Sequence, residues 1–147
     1  MTTALLDLSV FIALAWPAHE HHVPARAWFL SRSRSKWATC PITQLGFIRL
    51  LSNPAFSPDA LSVGEAFGLL MKNVSEPSHE FWPDALPVAR ALKPLMGKII
   101  GHRQMTDAYL LSLAIRHKAR LVTFDRGLVE LATEAKAALH VELVSLR

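Results

Sequence analysis

Two aspartates in this chain each follow a short apolar run of the kind that forms a buried β-strand. Asp7 follows the run at 4–6, and Asp125 follows the run at 120–124. In an open parallel sheet, ligands bind in the crevice outside the carboxyl ends of the strands. If these two strands are neighbours, both carboxylates therefore lie in that crevice.

Two further polar residues sit at the start of apolar helices. Asp107 begins a strongly apolar segment, in which apolar residues follow it at spacings of three, four and seven. Those positions share one face of a helix, and this face is the buried one. Gln44 stands at the head of the apolar face of another helix in the same way. The pattern predicts that both side chains point inward near the helix starts.

Grouped carboxylates of this kind are suited to binding a divalent cation. Carboxylates brought together repel one another, and a buried charge without a partner is costly. Mg²⁺ prefers oxygen ligands, and an oxygen-only set favours Mg²⁺ or Mn²⁺ over zinc. A metal ion held there can activate a water molecule and stabilise charge on a phosphoryl group during hydrolysis. Asp7, Asp107 and Asp125 are the predicted metal ligands, and Gln44 is the fourth residue of the predicted catalytic group.

Each of these residues also has a structural explanation. Asp107 could be the N-cap of its helix, and Asp125 could be a turn residue and N-cap before Arg126. Gln44 could be a core amide with satisfied hydrogen bonds. Asp7 has the weakest structural explanation, because aspartate is almost never fully buried without a partner.

Composition places the chain among single-domain globular proteins. Its 147 residues suit one domain, predicted to span 1–147, and 51% of them are hydrophobic against 19% charged. The net charge of +4 permits an anionic partner. The single cysteine, Cys40, excludes an internal disulfide bond and fits a reducing cytoplasm. No signal peptide or apolar run long enough to cross a membrane is evident, so a cytoplasmic location is expected.

Short apolar strands alternate with helices along the chain. Strands are expected near 4–8, 37–40, 120–124 and 141–144, with helices between them, a basic connection at 31–36 and a turn at 81–84. A helix is expected from about Leu86 to Met96, and a polar loop at 101–105. This order predicts an α/β fold with a mostly parallel sheet flanked by helices.

The motifs together resemble those of the PIN-domain nucleases. The segment 5–14 (LLDLSVFIAL) resembles the opening strand and helix of that family, and 40–50 (CPITQLGFIRL) resembles its second acidic motif. The segments 101–111 (GHRQMTDAYLL) and 121–128 (LVTFDRGL) resemble the third and fourth. The segment 79–84 (HEFWPD) resembles part of one VapC-type toxin subgroup. The order and spacing match over nearly the whole chain.

The resemblance implies a Rossmann-like PIN fold and a magnesium-dependent endoribonuclease, a toxin that a cognate antitoxin neutralises. Asp7, Asp107 and Asp125 would be the acidic metal-site positions. Gln44 stands where the family usually has glutamate, so the site would carry three carboxylates rather than four. Ser9 and Thr123 would orient the ligands, although both hydroxyls could instead bond only to local backbone.

Partners are expected from the same features. Four basic residues lie in sequence beside Asp107 or Asp125, and they are candidates for contacts with RNA phosphates: Lys98, His102, Arg103 and Arg126. The abundance of apolar residues, which include Trp16, Trp28 and Phe29, and the resemblance together predict a homodimer and a groove for an antitoxin segment. A basic side chain of that segment would reach the acidic site.

Two other functions fit the residues. A structure-specific DNA nuclease of the flap type uses related acidic chemistry, although such enzymes usually carry added elements for duplex binding. A degenerate PIN module would bind RNA or a partner without cutting, and Gln44 is the residue that favours this alternative.

Overall fold

A computed structural model describes residues 2–32 and 35–146 of the chain. Within them, five parallel strands form one sheet in the order β3-β2-β1-β4-β5. The strands are β1 (Ala4–Leu6), β2 (Trp37–Thr39), β3 (His79–Phe81), β4 (Arg120–Thr123) and β5 (Val141–Leu143). The α-helices are α1 (Leu8–Ala15), α2 (His22–Ser31), α3 (Pro41–Leu51), α4 (Val63–Val74), α5 (Val88–Leu92), α6 (Met105–Arg116) and α7 (Arg126–Glu134). Short 3-10 helices span Lys93–Lys98, His102–Gln104 and Ala138–His140.

The central strand β1 separates two apolar cores. Its side chains alternate between the faces of the sheet: Leu5 packs into the core that contains α6 and α7, whereas Ala4 and Leu6 pack into the core of α1, α3 and α4. On the second side, Gly46 lets α3 approach α1, because a Cβ atom there would lie 2.8 Å from a methyl carbon of Leu8. The predicted α/β fold with a parallel sheet flanked by helices is confirmed.

The register of β1 and β4 sets the position of the site. Leu6 pairs with Val122, and the backbone N–H of Asp7 donates to the carbonyl oxygen of Val122 at 2.9 Å. The residue after β1 and the last residue of β4, Thr123, therefore lie side by side at one edge of the sheet. Asp125 follows two positions later, at the start of α7.

Three sequence predictions differ from the structure. The turn expected at 81–84 begins too early, because Phe81 is the last residue of β3, an edge strand of three partly exposed residues that carries no apolar run. The helix expected from Leu86 to Met96 is divided into α5 and the 3-10 helix that follows, because Pro94 lacks the N–H group that a continuous α-helix needs. The loop expected at 101–105 contains the 3-10 helix His102–Gln104.

Two remaining sequence predictions concern the basic connection and membrane crossing. Part of the basic connection expected at 31–36 lies outside the described residues, at 33–34. Among the described residues, no helix has the length and hydrophobicity to cross a membrane.

Candidate active site

Asp7 lies between the end of β1 and the start of α1, and each of its two carboxylate oxygens accepts at least one hydrogen bond. As the N-cap of α1, its Oδ1 accepts a hydrogen bond from the backbone N–H of Leu8 at 2.8 Å. Its Oδ2 accepts from the hydroxyl of Thr123 at 2.7 Å and from that of Ser9 at 3.4 Å. Burial nevertheless raises the pKa of Asp7, and the negative charge of Asp125 adds to the rise. Asp7 therefore has a capping role that the sequence did not reveal, in addition to its place in the acidic group.

Thr123 joins the first and last aspartates of the group. It is fully buried at the end of β4. Its hydroxyl donates to Asp7 Oδ2, and the same oxygen accepts the backbone N–H of Asp125 at 3.0 Å. Thr123 thus fixes the carboxylate of one aspartate relative to the backbone of the other. The hydroxyls of Thr123 and Ser9 thus both contact Asp7, the predicted metal ligand. Their part in metal binding stays a prediction.

Asp125 is the N-cap of α7, which agrees with the structural role that the sequence offered beside metal binding. Its Oδ1 accepts the backbone N–H of Gly127 at 2.8 Å. A Cβ atom at Gly127 would lie 3.2 Å from this oxygen, so glycine leaves room for the cap. The cap engages one carboxylate oxygen, and the exposed position of Asp125 keeps the group accessible. A capping role and a ligand role are therefore compatible here.

Asp107 is not an N-cap. The N-cap of α6 is Gln104, and Asp107 is the third residue of the helix. Its carboxyl group is partly buried, and burial raises its pKa from 3.8 to about 7, with the charges of Asp7 and Asp125 as the further causes. No hydrogen bond or cation among the described residues offsets these effects. The charges of Asp7 and Asp125 therefore act on Asp107 at the same edge of the sheet.

This arrangement fits a divalent cation better than it fits the protein alone. Three oxygen-bearing side chains share one edge, and the energetic penalty falls on Asp107, which has no cationic partner in the described part of the chain. A hard cation with oxygen ligands would remove that penalty. Within residues 2–32 and 35–146, however, no three His, Cys, Asp or Glu side chains form a ready-made metal cage. The fit rests on donor chemistry and charge, and the carboxyl groups would have to draw closer around an ion.

Gln44 occupies the neighbouring part of the same edge. It is partly exposed in the first turn of α3, and its amide Nε2 donates to the hydroxyl of Thr39 at 2.9 Å. Thr39 is the last residue of β2, which pairs with β1. The Oε1 atom of Gln44 makes no hydrogen bond with a described residue. The amide is thus half satisfied rather than a fully bonded core group.

The four predicted phosphate contacts lie in segments that precede α6 or begin α7. Lys98 ends a 3-10 helix and is partly exposed, and the other three are exposed: His102 and Arg103 before α6, and Arg126 at the first position of α7. None of the four forms an ion pair with a residue that the structure describes. Their side chains are accessible to an anion, and their contact with RNA stays a prediction.

Two residues beside Gln44 were missed in the sequence. Thr39 was assigned only to a strand, and His79 was noted only as the first residue of the 79–84 segment. The hydroxyl of Thr39 lies 2.7 Å from Nε2 of His79, which connects Gln44 to the edge strand β3. No local signal identifies this link, because Thr39 and His79 meet only through the pairing of β2 with β3.

Comparisons with known proteins agree with this architecture. The family model described as PIN domain matches residues 4–134. Ribonuclease VapC38 of Mycobacterium tuberculosis is 41% identical over 143 residues, which cover 97% of this chain and 99% of that protein. Ribonuclease VapC39 of the same species is 40% identical and covers 89% of this chain and 94% of its own length. A chain in the structure of VapBC2 from Rickettsia felis bound to a promoter DNA fragment shares the fold, with a TM-score of 0.65, 15% identity, and coverage of 97% and 99%.

Proposed function

This chain belongs to the PIN domain family, and on that premise we propose that it is a metal-dependent endoribonuclease of the VapC type, a toxin that a cognate antitoxin neutralises. The relatives named as VapC ribonucleases match nearly its whole length. The observation that carries the proposal is that three carboxylates meet at one sheet edge, where the charges of Asp7 and Asp125 add to the burial that raises the pKa of Asp107.

The three aspartates would hold Mg²⁺, or Mn²⁺ in its place. When bound, the ion supplies charge stabilisation at the phosphoryl group and lowers the pKa of water. Thr123 and Ser9 hold Oδ2 of Asp7 in place through their hydroxyls, and Leu8 holds Oδ1. The carboxylate of Asp7 is therefore held in place before an ion or substrate arrives, and a preorganised group of this kind spends little energy on rearrangement during the reaction.

RNA would approach this edge through its phosphates. Lys98, His102, Arg103 and Arg126 offer side chains that make no ion pair within the described part of the chain, and such groups bind the phosphate backbone without reading its sequence. We assign them to positioning the RNA strand across the acidic group. Which bases flank the cleaved bond would depend on other contacts.

An antitoxin segment would fit the groove between α1, α2 and α4. This groove has a volume of about 370 Å³. Apolar side chains line it together with charged ones, which suits an amphipathic peptide: Leu14, Phe29 and Leu69 with Arg26, Lys72 and Glu76. A basic side chain of the antitoxin would then reach the carboxylates and take the place of the metal ion. Co-purification of the protein with the product of a neighbouring small gene, and its loss in Leu69→Asp, would test the groove.

We also propose a homodimer. Large apolar side chains are exposed in the segment 88–100, where Val88, Met96 and Ile100 face solvent, the last with 91% of its surface. By contrast, Trp16 and Trp28, which the sequence suggested for an interface, pack against the α1 core. Light scattering at high micromolar concentration should give twice the monomer mass, and a strict monomer would contradict the dimer.

Cleavage assays separate this proposal from its alternatives. The purified protein should cut single-stranded RNA in Mg²⁺ or Mn²⁺, lose this activity in chelator, and leave a flap-DNA substrate intact. Preferential cleavage of flap DNA would favour the DNA nuclease. RNA binding without cleavage in either metal would favour the degenerate module, for which the replacement of glutamate by Gln44 is the supporting feature.

A further inference from the structure

Gln44 is the first member of a chain of hydrogen bonds that runs away from the acidic group. Its Nε2 donates to the Thr39 hydroxyl at 2.9 Å, and that hydroxyl lies 2.7 Å from Nε2 of His79. Thr39 is fully buried, so water does not compete for its hydroxyl. The hydroxyl has one proton to donate and lone pairs with which to accept. The protonation of Nε2 of His79 therefore decides the direction of both hydrogen bonds.

The surroundings of His79 fix that direction. The ring also forms a hydrogen bond with the backbone of Val74, and this bond raises the pKa of the imidazole. A bond that favours the protonated ring has a backbone carbonyl as its acceptor. Because Nε2 already faces Thr39, Nδ1 is the ring nitrogen that donates its N–H to the carbonyl oxygen. Neutral imidazole carries one proton, so Nε2 is then an acceptor.

Burial keeps His79 neutral. It lowers the pKa of the imidazole, and this effect exceeds the opposing influence of Glu76, Glu80 and the bond to Val74. Glu80 is itself paired with Lys36 at 3.3 Å, and the remaining ring contact, Trp37 at 4.7 Å between ring centres, carries no charge.

We propose that Thr39 and His79 are positioning residues that orient the Gln44 amide, turning its NH₂ group toward β2 and leaving its carbonyl oxygen as the atom offered to the acidic site. Nε2 of His79 accepts a hydrogen bond from the Thr39 hydroxyl. The oxygen of that hydroxyl in turn accepts a hydrogen bond from the amide N–H of Gln44. A carbonyl oxygen beside three carboxylates suits a site for a cation, whereas an NH₂ group would suit an anion. The significance for catalysis rests on the proposed ribonuclease function, but the direction of the hydrogen bonds does not.

A glutamate at position 44 would reverse the direction of these hydrogen bonds. A carboxylate has no proton to donate, so it would accept a hydrogen bond from the Thr39 hydroxyl. The Thr39 oxygen would then accept a hydrogen bond from His79, which must carry a proton on Nε2 while Nδ1–H still donates to the Val74 carbonyl. Both ring nitrogens are protonated only in the imidazolium form. Gln44→Glu should therefore raise the pKa of His79 through Thr39.

Nitrogen-15 NMR of the histidine side chains measures the protonation of His79 in metal-free protein, in chelator and without substrate. His79→Gln identifies the resonances. In the parent protein at neutral pH, His79 should be neutral with its proton on Nδ1. In Gln44→Glu, its titration midpoint should move to higher pH. Gln44→Leu, which removes the amide without adding a charge, should produce no such rise.

A double variant separates the hydrogen-bond chain from the simple attraction of a new negative charge. Thr39→Val in the Gln44→Glu background keeps the charge and removes the hydroxyl, so most of the rise should disappear, while Thr39→Ser should retain it. An equal rise with valine, or a proton on Nε2 in the parent protein, would overturn the proposal. The parent measurement needs no substitution at Thr39, so it decides the matter even if Thr39→Val does not fold.

A functional measurement complements the spectra. Thr39→Val should lower RNA cleavage at saturating metal roughly 10-fold or more, in the range typical for residues that orient a metal site, and Thr39→Ser should restore it. Cleavage equal to the parent in Thr39→Val would show that the orientation of Gln44 has no part in the reaction. A protein that cleaves no RNA in any form would refute the proposed function and leave the NMR result standing.

Discussion

Replacing Asp107 with asparagine should stabilise the metal-free protein at alkaline pH. Burial and the charges of Asp7 and Asp125 raise the pKa of Asp107 from 3.8 to about 7. The folded state therefore binds more protons than the unfolded state between these two values, and stability falls as pH rises through this window. Asparagine has nearly the same shape and no charge, so the variant lacks that loss.

The size of the effect follows from the pKa. At 1.36 kcal/mol for each pKa unit, a rise from 3.8 to about 7 corresponds to about 4 kcal/mol of lost stability above pH 7. The carboxyl group is partly exposed, and solvent screening reduces this to roughly 1–2 kcal/mol. In a domain of this size, that corresponds to a rise in Tm of about 3–6 °C for the variant at pH 8. At pH 4 the difference should vanish.

Thermal unfolding in chelator at pH 4, 6 and 8 measures the effect, with Asp59→Asn as the control because Asp59 is exposed in the loop between α3 and α4. Added Mg²⁺ should stabilise the parent and not Asp107→Asn, since an ion that binds only the folded state stabilises it by mass action. Parallel stability curves for parent and variant across this range would refute the crowding of the three carboxylates.

Three further predictions concern the surroundings of this group. Thr123→Val should lower the free energy of unfolding by roughly 1–3 kcal/mol, because it removes the donor to Asp7 and the acceptor for Asp125; denaturant unfolding measures this, and Thr123→Ser should recover most of the loss. Arg126→Gln should reduce the slope of log Kd for RNA against log salt by about 1, as measured by fluorescence anisotropy with an inactive variant as the parent, and an unchanged slope would remove Arg126 from the RNA path. Gln44→Glu should bind Mn²⁺ more tightly by calorimetry, because it adds a fourth carboxylate; an unchanged affinity for Mn²⁺ would place residue 44 outside the metal site.

The sequence predicted the parts of the fold that local patterns encode. Short apolar strands and periodic helices gave the parallel α/β order, and the strand ends located Asp7 and Asp125 at one edge. The capping pair of Ser62 and Glu65 at α4 was also predictable and is present, because both of its members lie within one turn.

Features that depend on tertiary contacts could not be found in the same way. The edge strand β3 has no apolar run and exists through its pairing with β2. The partner of Gln44, Thr39, is recognisable only once α3 is folded back over the end of its strand. The capping role of Asp7 was missed because the predicted strand extended past it, whereas α1 already begins at Leu8.

RNA cleavage by single Asp→Asn variants is the most direct test of the central claim that Asp7, Asp107 and Asp125 form one metal-dependent catalytic site. Each variant should retain the circular dichroism spectrum of the parent and lose cleavage of single-stranded RNA in Mg²⁺ and in Mn²⁺, while Asp59→Asn should cleave like the parent. Full activity in folded Asp7→Asn would contradict the account.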